Sequence, residues 1–236
     1  MIHGDSPKDL LAAGDEAMTE AAFRTGDYTQ ALALLQAARD TADDRAVEAA
    51  AIDRLGWLTH FRALDAGPEQ ADADAEEALF QQALDIRRDI GDRGGIAASL
   101  FGLGLVHQVL RRDWDTAITY FRQSLALAEE HADLITRSEV HRHIGFYYMI
   151  SERRPDLGVP HLRTSLRLRE LHGDPRWTVG GLIALGQAES VAGDRDEAVR
   201  LLGEAIGLAR RTGLHARRIA QAEEALRRAE AGEMPG

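Results

Sequence analysis

The sequence predicts an all-α chain in which five antiparallel helix pairs stack in order and a further C-terminal helix closes the stack. Three observations carry this reading. Residues recur at a fixed spacing: Ala83, Ser124 and Ser165 stand 41 residues apart, as do Phe80, Phe121 and Leu162, and Gly104, Gly145 and Gly186 keep the same period. A period of that length marks stacked repeats. Small residues, Gly104 and Ala117, fall where two helices must approach closely, with Leu103 and Phe121 filling the seam beside them. No segment combines strand alternation with turn chemistry.

The elements follow in order. Ser6-Pro7 reads as an N-cap followed by proline at the first helical position. That helix should reach about Thr25, where Gly26-Asp27 ends it, and Tyr28 to Thr41 forms its partner around Ala31, Leu35 and Ala38. A second pair begins near Asp44, with Ile52, Leu55, Gly56 and Thr59 on its first helix. The acidic run Glu69, Asp72, Asp74, Glu76, Glu77 then reads as the extended start of a helix from Pro68 to Ile90, since carboxylates suit the positive end of the helix dipole. The other reading of that run is an acidic docking knob. Gly91-Asp92 breaks the helix, and the third pair spans Leu100 to Leu127, with Trp114 opening its second helix.

Asp133 caps the fourth pair, which carries His141, Ile144, Gly145 and Tyr148, then Gly158, Leu162 and Ser165. Pro155 and Pro160 predict an irregular first turn in its second helix. Gly173-Asp174-Pro175 is a breaker. The fifth pair carries Leu182, Leu185 and Gly186, then Ala198, Leu202 and Ala205, and ends at Thr212-Gly213. A last amphipathic helix, Leu214 to about Glu230, places Ile219, Ala222, Leu226 and Ala229 on one face. Gly232 to Gly236 reads as a disordered tail.

Composition narrows the function. The chain has 236 residues, a formal net charge of −11 and no cysteine. That charge argues against nucleic acid and against anionic membrane, both of which need a basic footprint. Without cysteine there are no disulfides and no thiolate chemistry. The start, Met1 to Pro7, has neither a basic nor an apolar run and does not read as a signal peptide. The longest uncharged stretch, Gly94 to Leu110, is too short to span a membrane and reads as a buried helix. The expected location is the cytoplasm.

Leu100, Leu103-Gly104 and His107, followed by Ala117, Phe121 and Ser124, resemble the tetratricopeptide repeat, whose signature is W-x2-L-G-x2-Y and then A-x3-F. The likeness extends over nearly the whole chain. In the first pair Asp15, Met18 and Thr19 take the signature positions. The 41-residue period is longer than the usual 34 and resembles repeats of kinesin light chains and of the helical sensor arrays of bacterial regulators. The extra length should lie mostly in the helices, with one residue in the turns at Arg111-Arg112 and Arg153-Arg154. The sequence carries neither the DNA-binding nor the nucleotide-hydrolysing domain of such regulators. The resemblance implies one repeat domain over residues 1–236, wound as a right-handed α-solenoid superhelix.

No catalytic constellation emerges. There is no phosphate-binding glycine loop, no H-E-x-x-H and no G-x-S-x-G. His141 and His143 lie two apart on a helix and do not face each other. No cofactor and no metal are expected, and the expected protein is not an enzyme. The resemblance implies that the first helix of each pair lines a concave groove. Its expected ligand-binding residues are Arg54, Trp57, His60 and Phe61 in the second pair, and Phe101, Leu105 and Gln108 in the third. Arg142, His143, Phe146 and Met149 follow in the fourth, and Gln187 in the fifth. Large apolar groups on such a face mark a binding site. The expected function is a protein- or peptide-binding module, with a partner that offers apolar anchors and an acidic group for Arg142. The alternative is an enzyme or small-molecule sensor with an apolar pocket near Trp57, Phe101 and Phe146. Self-assembly into a homo-oligomer through the ends of the stack is a third reading.

Overall fold

The structure, a computed structural model, describes residues 6–233. Among these it is helical throughout and contains no strand. It forms two compact units, Met1–Ala132 and Asp133–Gly236. The first unit holds α1 (Pro7–Glu20), α2 (Thr29–Asp40), α3 (Arg45–Ala66), α4 (Ala73–Ile90), α5 (Arg93–Leu105) and α6 (Trp114–His131). The second holds α7 (Leu134–Phe146), α8 (Pro155–His172), α9 (Pro175–Ala192), α10 (Arg195–Arg211) and α11 (Ala216–Ala231).

Aspartate writes most of the boundaries. The side chains of Asp44, Asp72, Asp92, Asp113, Asp133, Asp174 and Asp194 each accept a hydrogen bond from a backbone N–H of the helix that follows. Each cap satisfies a donor that would otherwise be orphaned and contributes about 1 kcal/mol. Ser6 and Asp9 form a reciprocal capping box ahead of Pro7.

The seam within each helix pair is set by a glycine against a large apolar side chain. A β-carbon on Gly104 would lie 2.4 Å from the Phe121 ring, and one on Gly145 would lie 2.7 Å from Leu162 Cγ. Gly56 faces Phe80 and Gly186 faces Leu202 in the same way. The first pair obeys the rule through Gly14, which faces Leu35. This corrects the reading of Asp15, Met18 and Thr19 as the signature positions: the seam glycine is Gly14, and Met18 is a buried core residue beside it.

Three further differences have local causes. The helix expected from Pro68 begins instead at Ala73. Pro68–Gln70 forms a separate 3-10 turn, and the Asp72 side chain caps the helix proper by accepting from the Ala75 N–H. Pro155 occupies the first turn of α8, where it lacks only a bond the helix does not make, and Pro160 sits inside a helix that stays continuous. Gly232 adopts a left-handed conformation that closes α11, while Met234 to Gly236, the rest of the expected tail, lie outside the described residues.

The long period lies in the helices. α1, α5 and α7 each run on into a π turn, at Ala21–Thr25, Val106–Leu110 and Tyr147–Ser151. The turns that follow need a left-handed residue. Gly26 supplies it after α1 and Gly193 after α9, but Arg112 (φ 55°) and Arg153 (φ 53°) supply it after α5 and α7.

Two junctions between successive pairs, one in each unit, are latched by a buried arginine. Arg87 ends α4 and donates to the Gly95 carbonyl (3.0 Å) at the start of α5, to Asp53 (2.5 Å) on α3 and to Ser99 (2.6 Å). Arg169 ends α8 and repeats the device, donating to the Trp177 carbonyl (2.9 Å) at the start of α9 and to Glu139 on α7. In both cases the accepting carbonyl lies eight residues beyond the arginine. At these two junctions stacking thus rests on polar as well as apolar contacts between neighbours.

Candidate functional site

In the first unit the expected groove residues divide by burial. Phe101 and Leu105 are each 1 % exposed, and His60 and Gln108 are also buried. Phe101 stacks on Trp57 at 5.7 Å and packs on Phe121 at 5.5 Å, so its ring serves the core. The His60 ring nitrogen Nδ1 meets Glu76 Oε1 at 2.8 Å inside the fold. Arg54 is half-buried and bound to Asp15 (2.6 Å) and Asp53 (3.4 Å). Trp57 and Phe61 keep part of their rings open, 5.5 Å apart.

Leu64, 41 % exposed, continues the line. Residues 57, 61 and 64 lie one and two turns apart on one stripe of α3. Leu64 escaped the sequence reading because the repeat signature has no position for it. The available signal was length: α3 runs 22 residues, against 18 for α9. Its last turn therefore carries apolar residues beyond the repeat.

In the second unit Arg142 lies over the Phe146 ring at 4.8 Å, and both are half-buried. His143 is buried, with Nε2 3.7 Å from Glu139. Met149 is half-buried and packs over Gly158 in the seam between helices. Gln108, at the same offset from Gly104 as Met149 from Gly145, is buried in the first unit, as is His60 at that offset from Gly56. Gln187 borders a cleft of about 200 Å³ with Ser190 on α9 and Gln221, Ala225 and Arg228 on α11. A larger cleft in the first unit, about 590 Å³, lies between α4 and α6 over Leu100, with Gln81, Arg88, Thr119 and Gln123 on its rims.

Electrostatics single out the second unit. Burial pushes the Glu139 carboxyl up, but Arg169, the neighbouring His143 and the charge of Arg142 together hold it well below the usual carboxylate range. Burial lowers the Arg169 guanidinium to about 10, against the pull of Glu139. Its planar group also faces the Trp177 ring at 5.7 Å.

His141 and His161 share a hydrogen bond between their Nδ1 atoms at 2.9 Å, with Tyr148 stacked on His161. Among the described residues no three His, Cys, Asp or Glu side chains are grouped to hold a metal ion. No helix among them is long and apolar enough to cross a membrane.

Residues 70–130 match the family model of the tetratricopeptide repeat. No curated protein sequence matches the chain. Among solved structures, the chain is similar to the aspartyl phosphate phosphatase F of Bacillus subtilis, with a TM-score of 0.66 and 12% identity over 96% of this chain and 56% of that one. It is similar to a signal transduction ATPase with a tetratricopeptide repeat sensor from Pyrococcus horikoshii, with a TM-score of 0.61 and 14% identity over 97% of this chain and 33% of that one. It is also similar to nearly identical kinesin light chain TPR-like repeats from Podosopora anserina, with a TM-score of 0.53 and 15% identity over 89% of this chain and 99% of that one. The chain thus spans about half of the phosphatase and a third of the ATPase. At these identities the shared property is the tetratricopeptide-like helical fold.

Proposed function

We propose that this tetratricopeptide-repeat chain is a non-enzymatic interaction module. In the first unit it binds a protein or peptide segment through apolar anchors on α3, and in the second unit Arg142 takes an acidic group. The observation that carries the reading is the α3 stripe: Trp57 and Phe61 are half-open and Leu64 is 41 % exposed, at helical spacing. An apolar line of this kind is costly to leave in water and suits a partner side chain. Arg142 beside Phe146 offers the same mixture in the second unit, an apolar ring with a planar cation over it.

Phe101 supports this reading indirectly, because its buried ring stacks on Trp57 and holds it in place. The tetratricopeptide fold, shared with a repeat sensor and with kinesin light chain repeats, agrees with a role in regulation or assembly.

The test is capture from the native cell extract with the parent protein, Trp57→Ala, Phe61→Ala and Arg122→Ala, the last being exposed on α6. A partner retained by the parent and by Arg122→Ala, but lost with Trp57→Ala and Phe61→Ala, supports the module. Saturable turnover of a small molecule by the purified protein contradicts it.

A further inference from the structure

The two buried arginine latches differ in one respect. In the first unit the charges match: Asp53 and Asp15 face Arg87 and Arg54. In the second, Glu139 alone faces two guanidiniums. It binds Arg169, which is 3 % exposed, while Arg142 Nη1 reaches the other carboxylate oxygen at 3.3 Å. His143 Nε2 stands 3.7 Å from the same oxygen.

The cluster therefore carries a surplus of positive charge inside a chain whose net charge is −11. Two donors in it have no acceptor, the buried Nε atoms of Arg142 and Arg169. Arg218 on α11 adds to the positive field felt by Arg169.

We propose that Arg142, with the Glu139–Arg169 pair behind it, forms an oxyanion-binding subsite that takes a carboxylate or a phosphate group. This deepens the reading of Arg142 as the contact for a partner's acidic group and rests on it.

The geometry gives each residue a separate task. Arg169 is a positioning residue: by engaging Glu139 it keeps that carboxylate from closing fully on Arg142. The Arg142 guanidinium is half-open, and its planar fork can offer two parallel N–H donors to one oxyanion. The Phe146 face beneath it fixes the plane of that fork and leaves apolar surface for whatever carries the anion. His143 Nε2 lies 3.3 Å from Arg142 Nη1, so it shapes the rear of the site and does not face the ligand directly.

The experiment is a titration of the full chain with two probes at ionic strength matched by sodium chloride, read by NMR on the Arg142 Nε–Hε and Phe146 ring signals. The probes are inorganic phosphate and N-acetylphenylalanine, a carboxylate beside an aromatic group. Saturable shifts with either probe support the subsite. The stronger binder identifies the source, a phosphoryl group or the carboxylate of an apolar residue. Arg142→Gln should weaken that probe at least tenfold. Arg142→Lys should recover only part of the loss, because it restores the charge without the fork.

Glu139→Gln removes the competing carboxylate and should tighten binding severalfold, provided circular dichroism shows helicity unchanged. Arg153→Gln, another exposed arginine of the same unit, should leave binding as in the parent. The proposal is overturned if neither probe moves these signals beyond what sodium chloride does, or if Arg142→Gln binds like the parent. Because the probes are small anions, such a failure leaves the α3 stripe and its capture experiment intact and removes only the anion site.

Discussion

Gly145 shows what a single position demands of this fold. Helix propensity alone favours alanine over glycine there by about 1 kcal/mol. Packing decides otherwise, because the β-carbon would lie 2.7 Å from Leu162 Cγ and 3.2 Å from the Gly158 carbonyl oxygen. Gly145→Ala should therefore lower Tm, and Gly145→Leu should cost more, in the range of about 1–3 kcal/mol or above for overpacking. Equal melting of Gly145→Leu and the parent would place the α7–α8 seam elsewhere.

Arg153 makes the opposite case. Its φ of 53° is a conformation in which a side chain costs about 1–2 kcal/mol and glycine costs little. Arg153→Gly should stabilise the fold by up to about 1 kcal/mol, once the extra freedom of glycine in the unfolded chain is subtracted, and so raise Tm slightly. Gly193→Ala, in the equivalent turn, should lower it.

At the scale of the element, the latches carry the sharpest expectation. Removing one member of a buried ion pair leaves an unpaired charge and typically costs about 3–5 kcal/mol. Arg169→Met should therefore destabilise the second unit strongly. A double change of Arg169→Met with Glu139→Leu should recover much of the loss.

The pair also sets a pH dependence. The folded Glu139 carboxyl lies below its ordinary value of 4.5, so its contribution is full above that pH and is lost as pH falls beneath it. Arg169 titrates near 10 and is charged in both states at neutral pH, so it adds no slope there. Urea midpoints measured from pH 6 to pH 3 should fall for the parent and fall less for Glu139→Gln. Parallel curves would show that the carboxyl is not held down in the folded state.

The latches also mark where the sequence becomes opaque. The period, the caps and the seam glycines from Gly56 onward follow from residue type and spacing, because each is local. The pairing of Asp53 with Arg87, or of Glu139 with Arg169, joins residues 34 and 30 apart, and many other carboxylates stand at similar distances. The π turns are equally hidden, since one inserted residue leaves no mark in composition. Positions counted forward from Gly56 and Gly104 on an ideal helix put His60 and Gln108 on the open face, yet both are buried, because contacts from neighbouring helices are not written in the spacing.

At the scale of the whole molecule, stability should be graded along each unit, because within it each pair contacts mainly its neighbours. α11 contributes Ala222, Ala225 and Ala229 to the core of the second unit. Removing residues 214–236 should lower melting and promote aggregation while keeping most of the helical circular dichroism signal. A truncated chain that melts like the parent would deny α11 its covering role.

The central claim is that the half-open aromatic stripe of α3 exists to meet a partner, and it is tested most directly by affinity. Once a partner has been captured, its dissociation constant is measured by calorimetry for the parent, Trp57→Ala, Phe61→Ala, Leu64→Ala and Arg122→Ala, with folding checked by melting. A central aromatic anchor typically contributes about 2 kcal/mol or more, close to thirtyfold in affinity. The account predicts a loss of that size for Trp57→Ala or Phe61→Ala, a smaller loss for Leu64→Ala and none for Arg122→Ala. Unchanged affinity in all three stripe variants, with a loss in Arg122→Ala, would contradict it.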